Sequence, residues 1–97
     1  MDFNEAKTAA KTVLIEFYAS WCPHCKRMMP VVEEVRGKLA GKVPVYQYDI
    51  DENEAESDEA RVETIPTFIV YRDGKEMWRH SGEMSGDALL SKVESYI

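Results

Sequence analysis

The sequence contains only two cysteines and two histidines, and it has no apolar run long enough to span a membrane. Each shortage narrows the classes of protein that fit. A structural zinc site needs four ligands. Cys22, Cys25, His24 and His80 could make four, but His24 lies between the cysteines, where its ring would have to fold back to share an ion. Basic residues are also scarce: 12 stand against 18 acidic ones, and the net charge of −6 argues against nucleic acid as a partner. The opening Met1-Asp2-Phe3-Asn4-Glu5 lacks the basic start and apolar stretch of a secretory signal, which points to the cytoplasm. A chain whose signal had been removed would read the same and would be periplasmic or otherwise extracytoplasmic. No repeat, linker or low-complexity stretch divides the chain. At 97 residues, 44% hydrophobic and 31% charged, it is expected to form one soluble globular domain over residues 1–97.

What is present is concentrated in Trp21-Cys22-Pro23-His24-Cys25-Lys26. Both cysteines fall here, spaced C-x-x-C, between an apolar run and a segment of helical periodicity. If a helix begins near Cys22, its first N–H groups lack intrahelical partners and its dipole favours negative charge, so the first thiol ionises more easily than a free cysteine. Pro23 suits that first turn because its missing N–H would have had no partner. Cys25 lies one turn further in, better shielded, and close enough to close a small disulfide ring. The attacking role therefore falls to Cys22 and the resolving role to Cys25. Two other readings of C-x-x-C stay open: half of a zinc site, and a purely structural disulfide, whose small loop would add little stability.

Taken in order, Asp2 or Asn4 can cap a helix running to about residue 12, with Phe3, Ala6 and Ala10 on one face. Residues 13–18 are apolar at nearly every position, the pattern of a strand covered on both faces, and Glu16 interrupts it. Met28, Val32, Val35 and Leu39 then mark the buried face of a long helix, with Pro30 inside it and Gly37 and Gly41 around its end. A second strand over 43–49 completes a parallel β-α-β unit. A short helix over about 54–61 follows, within an acidic run from Asp49 to Glu59 that reads as a solvated face or, alternatively, a dock for basic partners. Residues 64–67 lead into a third strand over 68–71. Asp73-Gly74 is a hairpin signal to an antiparallel fourth strand over 76–80, which Gly82 breaks. Ser85 can cap a last helix whose buried stripe is Leu89, Val93 and Tyr96 or Ile97.

The succession of strand, W-C-x-x-C-K, helix with internal proline, strand, I-P-T, hairpin, glycine and amphipathic helix resembles the thioredoxin family. The likeness runs from about Val13 to the end and includes Phe17, Trp21, Cys22, Cys25, Lys26, Pro30, Asp49, Pro66, Thr67, Gly74 and Gly82. It implies an α/β thioredoxin-like fold: a central four-stranded mixed sheet flanked by helices, with the N-terminal strand of thioredoxins absent and an edge exposed near residues 43–49. It also implies a cis Ile65–Pro66 peptide facing the cysteines. The Ile65 backbone would be free to pair with an extended substrate, and Trp21, Pro66 and Gly82 would surround Cys22 as the substrate platform.

Three departures from the family pattern matter. Pro23-His24 replaces the usual Gly-Pro and is the pair typical of DsbA-type disulfide oxidases, whose helical insertion this chain lacks. Pro23, His24 and Lys26 are the candidates for tuning the thiolate, and a partly protonated His24 beside Cys22 would make the disulfide more oxidising. Glu16 stands where thioredoxins usually keep a buried Asp that exchanges a proton with the resolving cysteine. Burial should raise its pKa into the range of a general base. Gln47 occupies the position of a Lys that often accompanies that acid, and it brings no charge.

The expected activity is thiol–disulfide exchange on protein disulfides through Cys22, Cys25 and Glu16, with no cofactor and no metal. Scaffold and apparent location favour reduction, while Pro23-His24 favours a disulfide oxidase or isomerase. A redox-dependent binding module without turnover, extended by Met77 or Trp78, is the reading from another class. The implied partners are disulfide-containing proteins and a recycling redox partner, either a thioredoxin reductase-like protein or a membrane thiol donor, with the protein itself a monomer.

Overall fold

Residues 12–17 are all buried, and the computed structural model, which describes residues 2–97, explains why: they form a strand with cover on both sides. This strand, β1 (Thr12–Tyr18), lies inside a four-stranded sheet. Its neighbours are β2 (Val45–Asp49), parallel, and β3 (Thr67–Arg72), antiparallel, and β4 (Lys75–Ser81) pairs antiparallel with β3. The order β2-β1-β3-β4 makes the sheet mixed and leaves β2 and β4 at its edges.

The period-2 alternation of a strand divides β1 between two cores. Val13, Ile15 and Phe17 join Ile69 and Tyr71 of β3 on one face, covered by Phe3 and Ala6 of α1 (Phe3–Lys7) and bordered by Ala60. Leu14 joins Phe68 and Val70 on the other face. There Met28, Val32, Val35 and Leu39 of α2 (Pro23–Leu39) and Leu89 and Val93 of α4 (Gly86–Glu94) close the core. A third helix, α3 (Glu54–Glu59), is short and carries most of the acidic run.

Three expected boundaries shift. The first helix ends at Lys7, because the Thr8 hydroxyl turns back to the Asn4 carbonyl (3.0 Å) and Thr12 is taken by the sheet opposite Arg72. Strand β2 starts at Val45, two residues late, since Pro44 has no N–H to give to a ladder. Helix α3 stops before Arg61, whose φ of 56° is left-handed. The hairpin forms at Asp73-Gly74, both with positive φ. A side chain at Gly74 would also press a Cβ to 3.1 Å from Thr8 Cγ2. Between Val70 and Tyr71 the β3–β4 register slips, leaving Met77 out of the pairing and exposed, whereas Trp78 packs against the core. Tyr96 completes the last helix's apolar stripe, and Ile97 is exposed. Among the described residues no helix is long and apolar enough to cross a membrane.

Candidate active site

Strand β1 ends at Tyr18, and four residues later the chain enters α2 with Cys22 as its N-cap. The cap is made by sulfur: Cys22 Sγ accepts from the Cys25 N–H at 3.4 Å. Pro23 fills the first helical position, as its ring geometry favours. Both thiols are free and buried, packed with Ala19 in a small cluster that Tyr18, Ile50 and Ile65 border.

The two thiols are tuned in opposite directions. Burial alone would raise Cys22. The Cys25 thiol, the N–H groups of Cys25 and His24, and the positive charge of Arg27 outweigh it and hold Cys22 below the ordinary thiol value. Burial, the hydrogen bond with Cys22 and the negative charges of Cys22 and Glu16 push Cys25 up to about 12. A pair arranged this way presents one nucleophile and one reserve thiol.

Glu16 is 2% exposed, on the α2 side of the sheet with Leu14. Burial lifts its carboxyl to about 7, and the opposing influences are a hydrogen bond from Gln47 and the charge of Arg36. Gln47 Nε2 donates to Glu16 Oε1 at 2.8 Å, across the β1–β2 pair that sets these two residues opposite each other. Every buried side-chain nitrogen and oxygen among the described residues has such a partner.

Around Cys22 the peptide Ile65–Pro66 is cis, and the Ile65 carbonyl lies 3.9 Å from Cys22 Sγ. Gly82, with φ 95°, donates its N–H to the Pro66 carbonyl at 2.8 Å, which ties the end of β4 to the start of β3. Trp21 is 61% exposed, and its indole N–H donates to Asp51 at 2.8 Å. The Ile65 carbonyl thus stands beside Cys22, with Gly82 tied to Pro66 behind it and Trp21 next to Cys22 in the chain.

His24 and Lys26 are exposed. His24 Nδ1 lies 2.7 Å from Glu83 Oε2, and Arg27 donates to the same oxygen at 2.8 and 3.0 Å. Arg27 and His24 hold the Glu83 carboxyl down at about 2, so it only accepts, and Arg27 Nη2 also lies 2.8 Å from His24 Nδ1, closing a three-membered cluster. Sequence reasoning does not select Arg27, Glu83, Asp51 or Arg36. Asp51 is visible there only as part of the solvated acidic run. Glu83 is 59 positions from His24, a separation across which no local pattern signals contact.

A low-pKa cysteine capping a helix, a shielded partner one turn on and a cis-proline loop opposite, all carried on a mixed α/β sheet, define a C-x-x-C dithiol protein. The family model for Thioredoxin matches residues 1–95. The chain belongs to the thioredoxin family. It is 35% identical over 85 residues to the chloroplastic thioredoxin Y of Oryza sativa subsp. japonica, covering 88% of this chain and 51% of that protein. It is 32% identical over 96 residues to a thioredoxin of Staphylococcus epidermidis, covering 99% and 91%. The chain thus spans about half the length of the chloroplastic relative and nearly all of the bacterial one. A thioredoxin variant structure from Halobacterium salinarum superposes with a TM-score of 0.87 at 32% identity, covering 96% of this chain and 80% of that one. The fold is thioredoxin-like, as the residues around the dithiol implied.

Proposed function

We propose that this protein is a thiol–disulfide oxidoreductase whose net direction is the reduction of protein disulfides. The opposed tuning of Cys22 and Cys25 carries the exchange chemistry, and the Glu83 contact bears on its direction. The Cys22 thiolate attacks one sulfur of a substrate disulfide, the substrate S–S bond breaks, and the departing sulfur leaves as a thiolate that takes up a proton. A mixed disulfide now joins Cys22 to the substrate. Its formation removes the negative charge that had raised Cys25. Glu16, near neutrality and felt electrostatically at Cys25, accepts the Cys25 proton. Cys25 attacks Cys22 Sγ and the second substrate sulfur leaves. The substrate has gained two electrons, and the protein holds a Cys22–Cys25 disulfide for a recycling partner to reduce.

Trp21, the Ile65 backbone, Pro66 and Gly82 form the platform on which an extended substrate segment lies. Asp51 fixes the Trp21 ring at one side of it. Pro23-His24 alone would argue for a disulfide oxidase or isomerase. The Glu83 contact supports the reducing direction, since it draws both the imidazole and Arg27 toward a carboxylate and so limits how far they stabilise the thiolate. A reducing compartment such as the cytoplasm fits that direction.

Acceleration of insulin reduction by dithiothreitol tests the reading. The native protein is expected to turn over, Cys22→Ser to be inactive, and Cys25→Ser to accumulate the mixed disulfide. A native protein no faster than background would make it a binding module. Equilibration of the dithiol with glutathione tests direction: a dithiol more reducing than the glutathione pool fits a reductase, and a more oxidising one an oxidase or isomerase outside the cytoplasm.

A further inference from the structure

Glu16 does not meet its amide partner in isolation. Gln47 Oε1 accepts from Arg36 Nη2 at 3.1 Å while Gln47 Nε2 donates to Glu16 at 2.8 Å. The three side chains thus form a line from the surface of α2, across the edge strand β2, to the carboxyl inside the sheet. We propose that Arg36 is a positioning residue for Glu16: acting through the Gln47 amide, it fixes the donor end of that amide toward the carboxyl and sets the pH at which Glu16 accepts a proton.

The two ends of a Gln side-chain amide are nearly equal in size, and only their partners decide which end points where. A carboxylate repels the carbonyl end and binds the NH2 end. A guanidinium carries donors only and requires the carbonyl end. With Glu16 on one side and Arg36 on the other, a single orientation satisfies all three groups. Arg36 is itself held, donating to the Val45 carbonyl at 3.0 Å and pairing with Glu33, and its side chain is 36% exposed. The shielded path lets its charge act further inward than an exposed arginine's would.

The surroundings leave this line little competition. From α2 the other titrating group that feels the Glu16 charge is Cys25, and from β1 it is Tyr18. Opposite Glu16 on β3 stands Phe68, and α4 contributes Leu89 and Val93 to this core. The inference rests on the reading of Glu16 as the base, but its test is independent of turnover.

The experiment is a carboxyl-carbon NMR titration of Glu16 in the reduced full chain, comparing native protein, Arg36→Met, Gln47→Leu and the double variant, with amide spectra reporting the fold. In Arg36→Met the midpoint is expected to rise, the acid constant falling about three- to tenfold. Against the Gln47→Leu background the same change is expected to have less than half that effect, because the line is already cut. An equal rise in both backgrounds overturns the relay and leaves a charge acting through space. A folded Arg36→Met with the native midpoint overturns it outright. Should loss of the Val45 contact unfold the Met variant, Arg36→Gln is read by the same criteria. The pH profile of mixed-disulfide resolution should move with the titration. Failure of insulin turnover in the native protein would strike the proposed function and leave the titration's result for Arg36 standing.

Discussion

Replacing Glu16 with Gln should make the protein more stable, and increasingly so as pH rises. Glu16 is 2% exposed, so solvent screening does not dilute the effect. An ordinary carboxyl at 4.5 and one at about 7 differ by about 2.5 pH units. At 1.36 kcal/mol per unit the linkage amounts to about 3 kcal/mol. Because the folded-state value is the raised one, the unfolded chain releases its proton first, and native stability falls as pH climbs from 4.5 through 7. A neutral Gln of the same shape escapes that loss. The advantage of Glu16→Gln over the parent should be about 1 kcal/mol at pH 5 and about 3 kcal/mol at pH 8, added to whatever constant offset the new amide brings. Urea unfolding at several pH values measures it, with both proteins carrying Cys22→Ser so that thiol ionisation does not add to the pH dependence. A stability difference that stays flat from about pH 5 to 8 would refute the raised carboxyl, and with it the base assigned to Cys25.

Three further outcomes are expected. Resolution of the mixed disulfide should speed up as pH rises through about 7 and then level off, since Glu16 must be ionised to accept the proton; stopped-flow release of substrate thiol follows this step, and a rate that climbs without inflection would point to hydroxide instead. Glu83→Gln should free Arg27 and His24 toward the dithiol and increase the Cys22 acid constant about two- to threefold, less in high salt; thiolate absorbance is the readout, and an unchanged or weaker acid would dissociate this cluster from the thiol. Leu39→Ala, at a fully buried position closing α2 against the sheet, should cost about 3 kcal/mol in denaturant unfolding without changing the Cys22 midpoint.

Legibility in the sequence follows the range of the interaction. The buried stripe of α2 and the unbroken apolar run of β1 are written in local periodicity, and Asp73-Gly74 and Ser85 are written in the chemistry of turns and caps. These elements stand where the sequence puts them, within a few residues at their ends. Capping by Cys22 is legible for the same reason, being a contact of three residues' span. Arg36, Gln47 and Glu16 meet only because β2 pairs in one register with β1, and neither strand announces that register. Read locally, Gln47 is therefore only a residue without charge, and the guanidinium behind it stays hidden. Glu83 is a similar case: a surface carboxylate by every local criterion, it acquires its partners from a turn that the sheet delivers to the end of α2.

The strand order has a consequence for the way the chain comes together. Fifty residues separate Phe17 from its partner Thr67, and sixty separate Thr12 from Arg72. The most apolar strand thus waits for an antiparallel neighbour that lies far downstream, with only β2 and α2 available to it in the meantime. Loop closure over such spans is slow relative to helix formation. During synthesis the run Val13, Leu14, Ile15 must stay out of intermolecular pairing until most of the chain has emerged. The exposed time of that one strand, more than the stability of the finished sheet, should govern how much protein reaches the native state at high expression.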